Sequence, residues 1–130
     1  MMRQFEVRTG RRVQMLDITG EVQASVKESG VVSGVCHVFV PHTTAAVTIN
    51  ENADPSVTAD MDGFLERLIP QDAGFRHVEG NSDGHIKSSL VGASETVFVE
   101  NGHLVLGTWQ GIYFCEFDGP RQRKVYVKVV

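Results

Sequence analysis

The chain has 130 residues, of which 42% are hydrophobic and 22% charged, a composition that suits a single domain large enough to bury its own core. The formal net charge is -4, so a nucleic-acid backbone is not an expected partner. No apolar run approaches the roughly 20 residues that span a bilayer, and residues 1–12 lack the apolar segment of a secretory signal. We therefore expect one domain over residues 1–130 and a cytoplasmic location.

The first part of the chain predicts strands around one helix. Residues 3–9 and 12–19 alternate polar with apolar side chains on either side of a glycine, which favours an opening hairpin or strand pair. Thr19 is a candidate N-cap for a helix that ends at Gly30. Residues 33–42 are apolar enough to form a central strand.

A short strand and the clearest helix of the chain follow. Residues 45–50 alternate as a strand does. Asp54 and Pro55 then form a helix start, with a carboxylate at the N-cap and proline at the first helical position. Apolar residues recur at helical spacing as far as Pro70; they are Val57, Met61, Phe64, Leu65, Leu68 and Ile69.

A loop and a short helix come next. Residues 74–84 are rich in Gly, Asn, Asp and Ser, which is typical of a loop. Ser82 or Asp83 is placed to cap a short helix, and we expect Ile86 and Leu90 of that helix to point inward.

The last part of the chain predicts antiparallel strands. The Asn101-Gly102 pair lies between two alternating apolar runs and calls for a tight type I′ hairpin. Two further strands, at 111–117 and 123–130, are joined by a turn at 118–120. Strands outnumber helices, and most connections are too short for parallel crossovers. We therefore predict an α+β fold with a mainly antiparallel, sandwich-like sheet and two or three helices.

Two cysteines and two of the five histidines suggest no site. Cys36 and Cys115 lie in apolar runs, so we expect free, buried thiols rather than a disulfide or a metal pair. His37 lies inside a strand and His103 follows the hairpin turn, so both are expected to be structural or exposed.

Polar side chains cluster at two other places, each next to a histidine and each leading into a helix. His42 ends an apolar strand and is followed by Asn52, while His77 and His85 flank a loop that contains Asn81. Each residue alone suits a turn, a cap or a strand, but the set together favours a site on loops. A helix N-terminus offers free N–H groups, which suit a phosphate or a carboxylate.

A third segment leaves two interpretations open. Trp109 and Gln110 lie between glycines, so Trp109 either fills the core at a bulge or forms a pocket wall with the amide beside it. Asp118 and Arg121 suggest a local ion pair in a turn, and Glu116 is either structural or a ligand or base.

Three histidines are candidate ligands for a divalent metal. Neutral imidazole suits zinc, and a catalytic zinc site keeps three protein ligands and one open position. His42, His77 and His85 could supply them, although no short His-x-x-x-His spacing supports this. Hydrogen bonding to a substrate and acid–base work near neutral pH are equally available to these side chains.

Five motifs in series resemble the YjbQ-like family. They are "PHTTAAVTINENADP", "HVEGN", "GHIKSSLVG", "LGTWQGIYFCEFDGPR" and "RKVYVKV". The resemblance covers nearly the whole chain from Gly34 to Val130, in order and at matching separations, which is far more specific than any one motif. One departure is local, because Ser82 and Gly84 stand where the family pattern has alanines.

The resemblance implies a compact α+β fold and a homotrimer with sites near the subunit boundaries. The polar positions of the family's motifs fall here on His42, Thr43, Asn52, His77, Asn81, His85, Trp109, Gln110 and Arg121.

The family is described as uncharacterised or as a secondary thiamine-phosphate synthase, which implies a transferase that joins a pyrimidine-methyl pyrophosphate to a thiazole phosphate. Departure of pyrophosphate needs charge neutralisation, so a divalent metal such as zinc or magnesium is the cofactor that this reaction implies. In this hypothesis His42 and His85 are acid–base or ligand groups, and Arg121 takes the negative charge of a small phosphorylated substrate. The amides of Asn52, Asn81 and Gln110 orient the substrate, and Thr43 and Trp109 complete its binding.

Two alternatives use the same residues. One is a non-catalytic trimer that binds a metal or a small anion, and the other is a structural protein whose polar cluster only stabilises a subunit interface.

Overall fold

The computed structural model describes all residues, 1–130, as three helices and eight strands. In chain order these are β1 (Met2–Arg8), β2 (Gln14–Asp17), α1 (Thr19–Ser29), β3 (Gly34–Phe39), β4 (Ala45–Glu51), α2 (Pro55–Leu68), α3 (Ser82–Val91), β5 (Ser94–Glu100), β6 (His103–Leu104), β7 (Gln110–Glu116) and β8 (Gln122–Val129). Every strand pairing is antiparallel, so the predicted α+β class is confirmed. No helix combines the length and the apolar character that crossing a membrane requires.

The strands form two sheets that share one core. The larger sheet has the order β1-β8-β3-β5-β6, and the smaller one has the order β2-β7-β4. β3 therefore lies inside the larger sheet, as its apolar sequence predicts. The main core combines side chains of both sheets with two valines of α1; its members include Val22, Val26, Val38, Val47, Phe114, Val125 and Val127.

The first two strands do not pair with each other, so the hairpin predicted for them is wrong. β1 pairs with β8, with Phe5 opposite Val125, and β2 pairs with β7, with Leu16 opposite Phe114. The alternating pattern marks each strand correctly, but it carries no information on the partner.

The N-terminus of α1 differs from the prediction by one position. Thr19 is the first helical residue and Ile18 occupies the N-cap. The backbone N–H of Thr19 donates to Asp17 Oδ1 at 2.9 Å, and the Thr19 hydroxyl accepts from the Ile112 N–H at 2.8 Å. The helix ends at Gly30, which has a φ of 72° and confirms the predicted stop.

The predicted start of α2 is confirmed, since Asp54 Oδ1 accepts from the Ser56 N–H at 2.9 Å. The rest of the chain covers only part of its apolar stripe: Leu65 packs against a small core cluster and Ile69, just after the helix, is buried. α2 contains no buried residue, and Phe64 and Leu68 are 56% and 58% exposed.

The inward face of α3 is polar, which contradicts the prediction for Ile86 and Leu90. Both side chains point outward, and Leu90 is 63% exposed. Asn81 occupies the N-cap position, so neither Ser82 nor Asp83 caps the helix. Asp83 is fully buried and binds the Arg12 guanidinium at 2.9 and 3.1 Å.

The turns and the thiols agree with the sequence. Asn101 and Gly102 have φ values of 53° and 75°, as a type I′ hairpin requires. Cys36 and Cys115 are free and buried, and burial raises the pKa of Cys36 to about 11 and also raises that of Cys115. A thiol with a raised pKa is a poor nucleophile at neutral pH.

Candidate functional site

His42 lies on the connection between β3 and β4, and the backbone of β8 fixes its ring. The N–H of Lys124 donates to His42 Nε2 at 2.9 Å, so in the neutral ring the proton is on Nδ1. Burial lowers the pKa of His42, and the nearby Arg123 guanidinium lowers it further. His42 is therefore a neutral imidazole that offers Nδ1–H as a hydrogen-bond donor.

Two adjoining depressions run from His42 across the N-terminal end of α3. The first has a volume of about 480 Å³ and includes His42, Thr43 and His85 in its lining. The second has a volume of about 360 Å³ and no hydrophobic lining residue. It is lined by Thr43, Thr44, His77, Glu79, Asn81, His85, Asp118, Arg121 and Arg123. Because Thr43 and His85 belong to both, we treat them as one site and call it the histidine cleft.

The histidine cleft thus brings together six residues that the sequence singles out. They are His42, Thr43, His77, Asn81, His85 and Arg121. The rings of His77 and His85 meet edge to face with centroids 5.6 Å apart. Arg121 is held by Asp118, whose Oδ2 accepts from Arg121 Nη2 at 3.0 Å, so the local ion pair expected for this turn is present.

A buried ion pair forms the floor of the cleft. Arg123 donates to both carboxylate oxygens of Glu116, and Arg123 Nη2 also donates to Thr44 Oγ1 at 2.9 Å. Thr9 Oγ1 donates to Glu116 Oε1 at 2.8 Å. Glu116 is fully buried and binds Arg123, so the structural interpretation of Glu116 applies.

Arg123 lines the cleft but is absent from the predicted set, although the sequence carries a signal for it. On β8, Arg123 lies on the same face of the strand as the buried Val125, Val127 and Val129. A charged residue on the inward face of a strand needs a buried partner, so this alternation marks Arg123 as a candidate structural or site residue. Thr44, Glu79 and Asp118 are further lining residues that the predicted set lacks.

A network of charges fixes α3, and with it His85, to the body of the protein. Lys87 is fully buried and donates to Glu66 of α2 and to Asp83 at 3.3 Å. Gly84 lies so close to the chain that an added Cβ would be 3.0 Å from the Phe117 carbonyl oxygen. A glycine at the alanine position of the family motif therefore permits close packing of this helix.

The remaining predicted residues lie at the far end of the smaller sheet. Asn52 directly follows β4, and Gln110 is the first residue of β7, where it pairs with Glu51. The cleft lies at the other end of the β4–β7 ladder, near the Ala45–Glu116 pair. The two ends of this ladder are roughly 20 Å apart at the rise of an antiparallel strand. One chain thus does not bring Asn52, Trp109 and Gln110 into the histidine cleft.

The GTWQG segment forms a surface rather than part of the core. Trp109 is 63% exposed, so the core interpretation is wrong for the isolated chain. Gln110 Oε1 accepts from the Gly107 N–H at 2.8 Å, and Asn52 Nδ2 donates to Asp17 Oδ2 at 3.2 Å. The Asn52 side chain packs directly on the backbone of Gly111, where an added Cβ would be 2.5 Å from Asn52 Nδ2, so this position requires glycine.

The three histidines do not converge as a metal site within one chain. No group of three or more His, Cys, Asp or Glu side chains is placed to hold a metal ion. His42 Nε2 already accepts the Lys124 N–H, which leaves His77 and His85 as the neighbouring imidazoles. The residues present thus fit a three-histidine metal centre poorly, and the predicted cofactor stays a prediction.

Comparison with known proteins places these features in a family. The sequence model for "UPF0047 protein YjbQ-like" matches residues 3–130. The chain is 53% identical to the UPF0047 protein YugU of Bacillus subtilis, covering 100% of this chain and 99% of the relative. It is 52% identical to a UPF0047 protein of Methanocaldococcus jannaschii, covering 100% of this chain and 94% of the relative.

Solved structures agree with this match. A crystal structure of an uncharacterised YjbQ/UPF0047 protein from Clostridium acetobutylicum superposes with a TM-score of 0.97 at 54% identity, covering 98% of this chain and 99% of that one. A YbjQ-like protein of unknown function from Sulfolobus solfataricus superposes with a TM-score of 0.95 at 32% identity, covering 99% and 95%.

Proposed function

The chain belongs to the UPF0047 YjbQ-like family, and we propose that it is an enzyme acting on a small phosphorylated or anionic substrate in the histidine cleft. The observation that carries this proposal is the grouping of neutral His42 with Arg121 and Arg123 around two adjoining depressions, of which the one that the arginines line has no hydrophobic lining residue. Nδ1–H of His42 and the Arg121 guanidinium are donors of the kind that binds a phosphate group.

The reaction we propose is thiamine-phosphate synthesis, at least as a secondary activity. In this transferase reaction a pyrophosphate leaves a pyrimidine-methyl carbon and the ring nitrogen of a thiazole phosphate replaces it. Charge builds up on the leaving pyrophosphate, so fixed donors lower the barrier. Arg121 and His42 supply such donors, and His85 is placed to exchange a proton with a bound substrate.

We further propose that the working form is a homotrimer in which a neighbouring chain completes each site. Two observations support it. α2 leaves Phe64 and Leu68 exposed, as an unpartnered helix face does. Trp109 is also exposed, and it lies with Asn52 and Gln110 too far from the cleft of its own chain to contribute there. Both thiols are free, which suits the cytoplasmic location that we propose.

A direct assay tests the proposed activity. Purified protein is given the pyrimidine pyrophosphate and the thiazole phosphate, with and without magnesium, and thiamine phosphate is measured. His42→Ala and His85→Ala are each expected to lower kcat/KM by roughly 100-fold or more, since the first removes a donor to the leaving pyrophosphate and the second a proton-transfer group. His103→Ala, an exposed histidine on the β5–β6 hairpin, is the matched control. Absence of product both with and without magnesium would rule out this reaction under the conditions of the assay.

The second candidate function is a non-catalytic trimer that binds a metal or a small anion. The adjacent rings of His77 and His85 favour it, since two imidazoles from one chain become a full site when other chains add ligands. Elemental analysis of the wild type beside His77→Ala and His85→Ala tests it. Stoichiometric zinc that both variants lose supports metal binding, and a metal-free wild type contradicts it.

A further inference from the structure

Arg123 at the floor of the histidine cleft keeps one nitrogen for a ligand. Arg123 is only 5% exposed; its Nε and Nη2 donate to Glu116, and Nη2 also donates to Thr44 Oγ1. Nη1 donates to no protein atom, and it is not enclosed, because Arg123 lines the cleft. Since the buried ion pair holds the guanidinium in place, Nη1 presents a fixed cationic edge to the negative end of a ligand.

Beyond His77 and His85 the cleft continues into a third depression, which has a volume of about 510 Å³. These two histidines line both spaces, so the spaces are continuous. The other lining residues are Phe75, Arg76, Ser82 and Ile86, and we call this space the Phe75 depression. Its surface is mostly apolar, whereas the part of the cleft at the arginines has a mostly polar surface.

Two apolar side chains are open to solvent in the Phe75 depression. Phe75 and Ile86 are 39% and 38% exposed. On α3, Ile86 directly follows His85, so the same turn of the helix carries an imidazole of the cleft and an apolar wall beside it. Arg76 is also exposed and adds a guanidinium, a group that stacks on aromatic rings. An apolar surface that adjoins a few convergent polar groups is typical of a small-molecule site.

Resting on the proposed function, we propose that the substrate is a phosphate ester with an aromatic ring, and that the Phe75 depression is the subsite for this ring. The phosphate lies at Arg121 and Arg123, and the ring packs against Phe75 and Ile86. Ring burial in this subsite adds a hydrophobic contribution that a bare phosphate lacks. A sugar phosphate would instead place hydroxyl groups against an apolar surface, which is costly. Phe75 and Ile86 are thus specificity-determining residues.

The test compares benzyl phosphate with methyl phosphate, which differ only by the ring, in isothermal titration calorimetry. At pH 8 both esters are mainly dianions, so the phosphate contacts are the same. The wild type is expected to bind benzyl phosphate at least about tenfold more tightly, because only this ester fills the Phe75 depression.

Phe75→Ser combined with Ile86→Ser is expected to reduce the preference to about twofold or less and to leave the affinity for methyl phosphate unchanged, because the changes remove apolar surface only. Both side chains are partly exposed, so the variant should fold. Val78→Ser is the matched control, since Val78 is 96% exposed on the same loop and does not line the depression.

The outcomes separate this inference from the function on which it rests. Equal affinity for the two esters in the wild type overturns the ring subsite but leaves an anion-binding cleft in place. Binding of neither ester overturns the subsite and also contradicts an anionic substrate. A preference that persists in the double variant overturns the role of the Phe75 depression. A double variant with a smaller assembly mass in light scattering also overturns it, because the apolar patch would then be a contact between chains.

A second measurement locates the ring directly. In an NMR spectrum of the wild type, the methyl signals of Ile86 should shift on addition of benzyl phosphate and not of methyl phosphate, while those of Val78 should not shift with either. Ile86 signals that stay in place at saturating benzyl phosphate would overturn the inference.

Discussion

At the scale of single residues, the site depends on polar groups whose partners come from distant parts of the chain. His42 was predictable as a candidate because it ends an apolar strand, yet its bond to the Lys124 N–H was not, since the two residues meet only in the folded chain. Arg123 and Glu116 are close in sequence, but they lie on strands of different sheets, so their ion pair also forms only in the folded chain. Sequence patterns give the type and phase of such residues, whereas the fold decides their partners.

The ring of His42 provides a prediction for pH dependence. Its pKa is lowered, so between that pKa and the ordinary value of 6.5 the unfolded chain binds more protons than the folded one. Folding stability due to His42 therefore falls as the pH drops below about 6.5. Urea unfolding at pH 7.5 and 5.5 should show a smaller acid loss in His42→Gln than in the wild type. An equal loss of stability in both proteins would show that protonation of His42 does not cause the acid loss.

Asp62 on α2 provides a prediction of the opposite sign. Burial raises its pKa to about 6 from the ordinary 3.8, and Oδ1 has no hydrogen-bond partner. The folded state thus binds more protons between these values, and the stability due to Asp62 is lost as the pH rises through about 6. Asp62→Asn should raise the free energy of unfolding at pH 8 by about 1 kcal/mol, a figure reduced for solvent screening of this partly exposed group.

Urea unfolding at pH 8 and pH 4 checks this expectation. At pH 4 the carboxyl group is neutral in the folded protein, so the variant and the wild type should differ little. A variant that is less stable than the wild type at pH 8 would contradict it.

At the scale of elements, α3 shows why helix position and helix orientation differ in predictability. The loop residues and the spacing of Ile86 and Leu90 located the helix correctly. They assigned the wrong face to the core, because the inward face carries Asp83 and Lys87, whose charges are satisfied by Arg12 and Glu66. Likewise the apolar stripe of α2 predicted the helix but not the exposure of Phe64 and Leu68, because the rest of the chain packs only against another part of the stripe.

The charge network of α3 gives a stability ranking. Asp83→Ala leaves the fully buried Lys87 without one of its two carboxylate partners and Arg12 without its bidentate partner, so we expect a loss of about 3–5 kcal/mol. Lys87→Met should cost less, about 1–2 kcal/mol, since Asp83 keeps Arg12 and the Glu66 side chain reaches solvent. Urea unfolding of the two variants measures the order, and a larger loss for Lys87→Met would show that Arg12 does not compensate Asp83.

At the scale of the whole molecule, fold class was the easiest property to predict. Turn residues such as Asn101-Gly102 and the short connections indicate antiparallel strands, and those pairings are present. The division into two sheets was not predictable, because β1 and β2 are close in sequence and take partners from the other end of the chain. The distance between the histidine cleft and Trp109 is likewise a property of the β4–β7 ladder, which no local pattern encodes.

The proposed trimer gives a prediction at this scale. Size-exclusion chromatography with light scattering should give three times the chain mass for the wild type. Phe64→Glu combined with Leu68→Glu should give a smaller species, because charges on an apolar interface are costly to bury. Val32→Glu changes an exposed apolar residue between α1 and β3 and is the control. A wild type with the mass of a single chain would rule out the trimer.

The place of β8 in the larger sheet has a consequence for how the protein is made. β8 is the last strand in chain order, yet it lies between β1 and β3. While the chain is being synthesised, both neighbours leave the ribosome long before the strand that joins them, and long-range pairings of this kind form slowly. Arg121 and Arg123 also belong to this final segment. A prematurely terminated product therefore lacks the strand that joins β1 to β3, and it also lacks the two arginines of the histidine cleft. Its unpaired strand edges make it a target for chaperones and proteases.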